Sequence, residues 1–176
     1  MIARPILGDI LQIALYATII GALVHLVTIL AIPQLATRDA FARLAPMGPV
    51  NSTIALERPG PLNRQTPYGD PAIASAFCRF DLANGPVRVK AHFARSGFAS
   101  LSFHTRTGSV FYALTDKAAV RGQLEALVLT AAQLRIVAST NEGFALVRVF
   151  SEQPGLYPQA QTDARALVCV TESVAK

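Results

Sequence analysis

Apolar and polar positions divide the chain into three regimes. From Ile10 to Ile32 the sequence ILQIALYATIIGALVHLVTILAI carries no Asp, Glu, Lys or Arg. A bilayer's hydrocarbon core is about 30 Å thick, and a helix needs roughly 20 apolar residues to cross it. Backbone polar groups in lipid must be satisfied within the segment, so this run is predicted to be helical. Asp9 bounds it on one side, and Pro33 is expected to end or bend the helix on the other. A cleavable signal has an apolar region of only about 7–15 residues followed by a small-x-small site. Here the nearest such site, Gln34-Leu35-Ala36, has Gln at a position that wants a small residue. Residues 1–33 therefore read as an uncleaved signal-anchor.

The second regime, residues 34–71, is punctuated by Pro and Gly. Thr37 to Pro46 begins like a helix, with Thr37 as N-cap and Asp39 in the first turn. Phe41 and Leu44 share a face, which suggests an interfacial helix with Arg38 and Arg43 toward the headgroups. Pro46, Pro49, Pro59, Pro61, Pro67 and Pro71 then follow, with Gly48, Gly60 and Gly69. Proline fixes φ and removes donors, so this stretch reads either as a semi-rigid spacer or as a loop wrapped on the domain surface. A short strand is expected around Val50–Leu56.

The third regime, residues 72–176, is strand-like. Ala76–Leu82 leads into Asn84-Gly85, a two-residue hairpin signal. Val87, Val89, Ala91 and Phe93 alternate with Arg88, Lys90 and His92, the period of a half-buried strand. Further strands are expected over Leu101–His104, Val110–Leu114, Leu124–Leu129, Leu134–Ala138 and Phe144–Phe150. Turns are expected at Ser96-Gly97, at 106–109 and at Asn141-Glu142-Gly143, with a short helix or loop over Thr115–Gln123. Ala160, Ala164, Leu167 and Val168 fall at helical spacing, so Gln159–Val168 is predicted as a terminal helix, with Val168–Val170 as an alternative last strand. The fold class predicted is mainly β: a small antiparallel β-sandwich or open barrel with a C-terminal helix, behind one N-terminal transmembrane helix.

Charge changes this picture only slightly. The net charge is +5. Arg4 and Asp9 cancel, so the excess follows the span. The basic residues are scattered singly, without the clustered, aromatic-interleaved pattern of nucleic-acid binding, so no nucleic-acid partner is expected. The positive-inside count sets Arg4 against Arg38 and Arg43, with Arg58 and Arg64 beyond, and by itself places the domain in the cytoplasm. The signal-like layout and the cysteines argue the reverse. Cys78 (in AFCRF) and Cys169 (in ALVCV) both sit in apolar runs. They form either one disulfide, as an oxidising compartment permits, or two separately buried thiols. Taken together, these signals favour a single-pass protein of the inner (plasma) membrane with a periplasmic domain.

Candidate chemistry is sparse. His25 is the one residue of the Asp, Glu, Lys, Arg and His class in the apolar run, and such residues are functional candidates by default. Ala14, Ala17, Gly21, His25 and Thr28 share one helix face, and Ala17-xxx-Gly21 allows close helix approach. This face is a candidate for packing on a partner span or a second copy. His92 and His104 are expected on neighbouring strands, where Asp81 or Asp116 could complete a metal site. No HxH, HExxH or CxxC spacing supports one, and no metal or cofactor is expected. Arg79 adjoins Cys78, but adjacent strand residues point to opposite faces, which argues against an activated thiolate. No catalytic residue is assigned.

The succession FASLSFHTRTGSVFYALTDKAA, LEALVLTAAQLRIV and FALVRVFSEQPGLYP resembles the sandwich domain of certain large bacterial envelope proteins of unknown function. The layout with one span resembles small alphaproteobacterial proteins described as integral membrane proteins. The likeness runs from Phe77 to Pro158. Phe98-Ala99-Ser100 lacks the family's Trp, and the turn Arg106-Thr107-Gly108 lacks its acidic residues. The resemblance implies a sandwich in the envelope and carries no catalytic residues. The expectation is a membrane-anchored binding module. The alternative is an enzyme or enzyme subunit acting on an envelope substrate, with His92, His104 and Asp116 gathered in a cleft.

Overall fold

The computed structural model describes residues 3–35, 39–63, 65–66, 68–93, 97–130, 136–138 and 140–172. The chain forms two compact units, Met1–Thr37 and Arg38–Lys176. The first is one helix, α1 (Ala3–Leu35). Its segment Gly8–Ile32 is long and apolar enough to cross a membrane, and none of it is buried. The helix continues through Pro33, where an end or bend was expected. Proline removes a single N–H there, within the last turn, so little hydrogen bonding is lost.

The second unit begins before the strands predicted for it. Helix α2 (Ala40–Leu44) is capped by Asp39, whose Oδ1 accepts from the Ala42 N–H at 2.8 Å. The expected cap, Thr37, lies outside the described residues. Strand β1 (Thr53–Ala55) pairs antiparallel with β2 (Ile73–Asp81). Thr53 Oγ1 donates to the Leu167 carbonyl at 2.6 Å, and the Asn51 N–H donates to the Arg79 carbonyl at 2.7 Å. These bonds hold residues 51–55 on the domain, so this part of the Pro-rich segment is a wrapped loop.

Seven more strands complete two sheets among the described residues: β3 (Val87–His92), β4 (Ala99–Thr105), β5 (Val110–Thr115), β6 (Gln123–Thr130), β7 (Ile136–Ala138), β8 (Glu142–Phe150) and β9 (Val168–Thr171). The larger sheet runs β1-β2-β8-β4-β5 and the smaller β7-β6-β3-β9. Neither closes on itself, so the fold is an open sandwich. Period-2 alternation does what the pattern predicts: Val87, Val89 and Ala91 are buried while Lys90 and His92 are exposed. The inner faces meet as one core, with Ala76, Cys78, Phe80, Leu101, Phe103 and Val147 opposite Val87, Val89, Leu124 and Val128. Helix α3 (Tyr157–Arg165) adds Tyr157, Ala160 and Ala164 to that core, and Leu167 follows them. Val168 then opens β9, so the predicted terminal helix and the alternative strand both form, in succession.

Two expected turns are corrected. Asn84-Gly85 does not close a hairpin. Both sides of β2 are taken by β1 and β8, and both sides of β3 by β9 and β6, so the chain crosses between sheets there. The Asp81 carboxylate accepts from the Ala83 N–H at 2.9 Å to start a 3-10 turn, and Gly85 leaves it at φ +124°. A side chain at Gly85 would press on the Glu172 carbonyl. Residues 142–143 are strand: Gly143 pairs with Phe80 and Thr105. One pairing departs from the antiparallel pattern. β7 runs parallel to β6, and nothing in the described residues explains it.

Candidate functional site

The outer face of the larger sheet carries the densest set of engaged side chains. Strand register aligns Phe77 with Leu146 and Ser102 in one row, and Arg79 with Phe144 and His104 in the next. Helix α2 packs over part of this face. Phe41 is buried there, with the Arg79 guanidinium 4.7 Å from its ring centroid and that of Arg106 5.8 Å away. Arg79 is itself buried and donates through Nη2 to the Gly48 carbonyl at 2.7 Å. A buried cation needs such partners, here a carbonyl and an aromatic face. Arg106 pairs with both Asp39 and Glu142, and its carbonyl accepts from the Phe41 N–H at 3.1 Å. Burial pushes the Asp39 carboxyl up, but the Ala42 N–H and the Arg106 charge outweigh it and hold its pKa below the usual value. Asp39 thus caps α2 and ties it to the β4–β5 turn.

Beside α2 lies an apolar groove of about 320 Å³, lined by Ala40, Arg43, Leu44, Leu56, Phe77, Phe144 and Leu146. Phe144 forms part of this wall and also stacks on His104, with ring centroids 4.6 Å apart and planes 5° from parallel. His104 is held on two further sides: Nε2 lies 3.0 Å from Ser102 Oγ and Nδ1 3.0 Å from the Gly108 carbonyl. A carbonyl only accepts, so Nδ1 carries a proton in that contact. A wider cleft of about 760 Å³ opens along β5 and β6, lined by Tyr112, Leu114, Ala118, Val120, Arg121, Gln123, Leu124 and Glu125. Its mixed charges select no single ligand chemistry.

The structure separates the residues proposed for metal binding. His92 and His104 are expected on neighbouring strands, yet β3 and β4 belong to different sheets. His92 is exposed, whereas His104 is bound as described. The Asp81 carboxylate caps the turn at Ala83. Asp116 starts a 3-10 turn, and its buried Oδ1 has no hydrogen-bond partner. Among the described residues no three His, Cys, Asp or Glu side chains come together as a metal site. Cys78 and Cys169 are joined in a disulfide that links β2 to β9, one strand from each sheet. Arg79, next to Cys78, lies on the outer face and Cys78 on the inner, as strand alternation requires.

On α1, Ala14, Ala17, Gly21, His25 and Thr28 are all exposed. Thr28 Oγ1 donates to the Val24 carbonyl at 2.8 Å, and nothing lies within 4 Å of a Cβ placed at Gly21. The face is open to a neighbour. Sequence reasoning missed the cluster of Asp39, Arg79, Arg106 and Glu142. Its members are up to a hundred residues apart and form no local motif. The one signal was Arg79 inside the apolar run AFCRF.

No family model and no curated protein matches the chain. Among solved structures it is similar to the VPA0106 protein from Vibrio parahaemolyticus, at 13% identity and a TM-score of 0.52, over 70% of this chain and 31% of that one. It is also similar to an uncharacterised protein from Burkholderia cenocepacia, at 13% identity and a TM-score of 0.49, over 75% of this chain and 38% of that one. The chain therefore spans about a third of the length of these proteins. The likeness to the Vibrio protein shows a shared sandwich fold and says nothing of activity.

Proposed function

We propose that the chain is a single-pass protein of the inner (plasma) membrane whose sandwich unit serves as a periplasmic binding module at the membrane surface. The observation that carries this reading is the bare apolar helix. Gly8–Ile32 is unburied throughout, with Leu11 and Leu30 more than 70% exposed. Soluble proteins rarely leave so large an apolar surface in water, and lipid covers it without cost. The disulfide favours an oxidising compartment, and hence export of the domain. A fusion of alkaline phosphatase after Lys176 is expected to be active, and the protein is expected to stay with membranes through carbonate washing. An inactive phosphatase beside a fluorescent C-terminal green fluorescent protein fusion would reverse the orientation. Release by carbonate would end the anchor reading.

The small-residue face of α1 supplies the proposed partner surface within the bilayer. Ala14, Ala17 and Gly21 let a second helix approach, and His25 and Thr28 offer polar groups beside the contact. Replacing Gly21 by Leu is expected to lower self-association several-fold in a membrane two-hybrid assay. An unchanged signal would remove this face as the interface.

A further inference from the structure

The groove beside α2 has a chemistry that selects its occupant. Six of its seven lining residues are apolar, and the seventh is Arg43. Its volume lies at the small end of the roughly 300–1,000 Å³ typical of ligand sites. Of the other arginines on this face, Arg79 is held by Gly48 and Phe41 and Arg106 by Asp39 and Glu142, while Arg148, two residues beyond Leu146 on β8, does not line the groove. Arg43 is exposed and makes no ion pair or side-chain hydrogen bond among the described residues. An apolar trough with one uncompensated cation matches an amphiphile with an anionic head, and it offers nothing to a polar ligand. The tether is also short. In sequence only residues 36–38 lie between the end of α1 and the Asp39 cap of the groove's own helix.

We propose that this groove takes one acyl chain of an anionic phospholipid from the bilayer that holds α1, with the lipid phosphate against Arg43. The proposal rests on the membrane-anchored reading and deepens it, by giving the binding module a ligand. The acyl chain would lie against Phe77, Phe144 and Leu146 with Leu44 as the opposite wall. Because Phe144 is stacked on His104, the wall is already built before any ligand arrives.

The test uses the full chain in phosphatidylcholine nanodiscs doped with phosphatidylglycerol that carries a diazirine in one acyl chain. After irradiation, label is mapped by peptide mass spectrometry. Label is expected on α1 and, separately, on the segments containing Leu44, Leu56 or Leu146. Leu146→Trp fills the groove and should cut groove label about tenfold while leaving α1 label unchanged. Leu44→Trp, on the opposite wall, serves if the first variant fails to fold. Arg43→Glu should lower groove label several-fold for the phosphatidylglycerol probe and less for a phosphatidylcholine probe with the same diazirine chain, whose choline offsets the charge of its phosphate. Label confined to α1, groove label indifferent to Trp, or groove label of the phosphatidylglycerol probe unchanged by Arg43→Glu would each overturn the proposal. Absence of label on α1 would instead sink the membrane reading, so the two failures are distinguishable.

Discussion

Reduction of the Cys78–Cys169 disulfide is expected to lower the stability of the sandwich unit by about 4–5 kcal/mol. The two cysteines are 91 residues apart in sequence. In the chain-entropy account, a bond closing a loop of that length restricts the unfolded chain by about this much. For a unit of this size the loss corresponds to a fall in melting temperature of about 15 °C. The placement adds to the effect. β2 and β9 lie in different sheets and share no ladder, so the bond links two layers otherwise joined by side-chain packing and crossing chain. Both cysteines are buried, so reductant should act slowly on the native state and quickly on the unfolded one. Melting curves with and without reductant, and of the Cys78→Ala/Cys169→Ala double variant, read the change. A melting temperature that does not move, or two thiols titrated in the protein purified under oxidising conditions, would refute it.

Gly143→Ala should cost about 3 kcal/mol, far more than an ordinary strand substitution. A Cβ at this position would come within 2.4 Å of the His104 carbonyl oxygen and 2.6 Å of the Phe80 ring. The first contact is with backbone held in the β4–β8 ladder, and the second is with a fully buried ring. Neither can retreat easily, so overpacking strain spreads into both strands. The urea midpoint should fall with the m-value unchanged. Gly155→Ala is the control, since nothing lies within 4 Å of its Cβ, and it should leave the stability within about 0.5 kcal/mol. Equal behaviour of the two variants would mean that the close approach of β4 and β8 at Gly143 is not a stability requirement. Because Gly143 precedes Phe144, the same variant should loosen the His104 stack and the groove wall behind it.

The elements legible in the sequence are those whose signal is local. The apolar run in α1 needs no partner to be recognised, because lipid compatibility depends on composition and length alone. The strand Val87–His92 and the run FALVRVF in β8 show a period set by the pleat, whichever strand they pair with. Three other assignments depended on pairing and went astray for that reason. Asn84-Gly85 has hairpin residues, yet β2 and β3 each had both edges filled by strands from elsewhere. Gly143 reads as a turn glycine, but its role is to let two strands and a ring come close. His92 and His104 look like neighbours along the chain, but a crossover between them sends one to each sheet.

The candidate site divides in the same way. Phe41 and Leu44 were visible as one face of a short helix with Arg43 on the other, but what that helix covers was not. Phe41, read as sharing a face with Leu44 on an interfacial helix, is buried beside Arg79 and Arg106, so α2 spends that side chain on the sheet. By itself the sequence determined the membrane-compatible helix, the mainly β class and the inward or outward direction of most strand residues, since each follows from local periodicity. Only the tertiary structure decided strand order, the link between Cys78 and Cys169, and the groove between α2 and the sheet. These depend on contacts between residues tens to a hundred positions apart, and no local pattern encodes which distant partner wins.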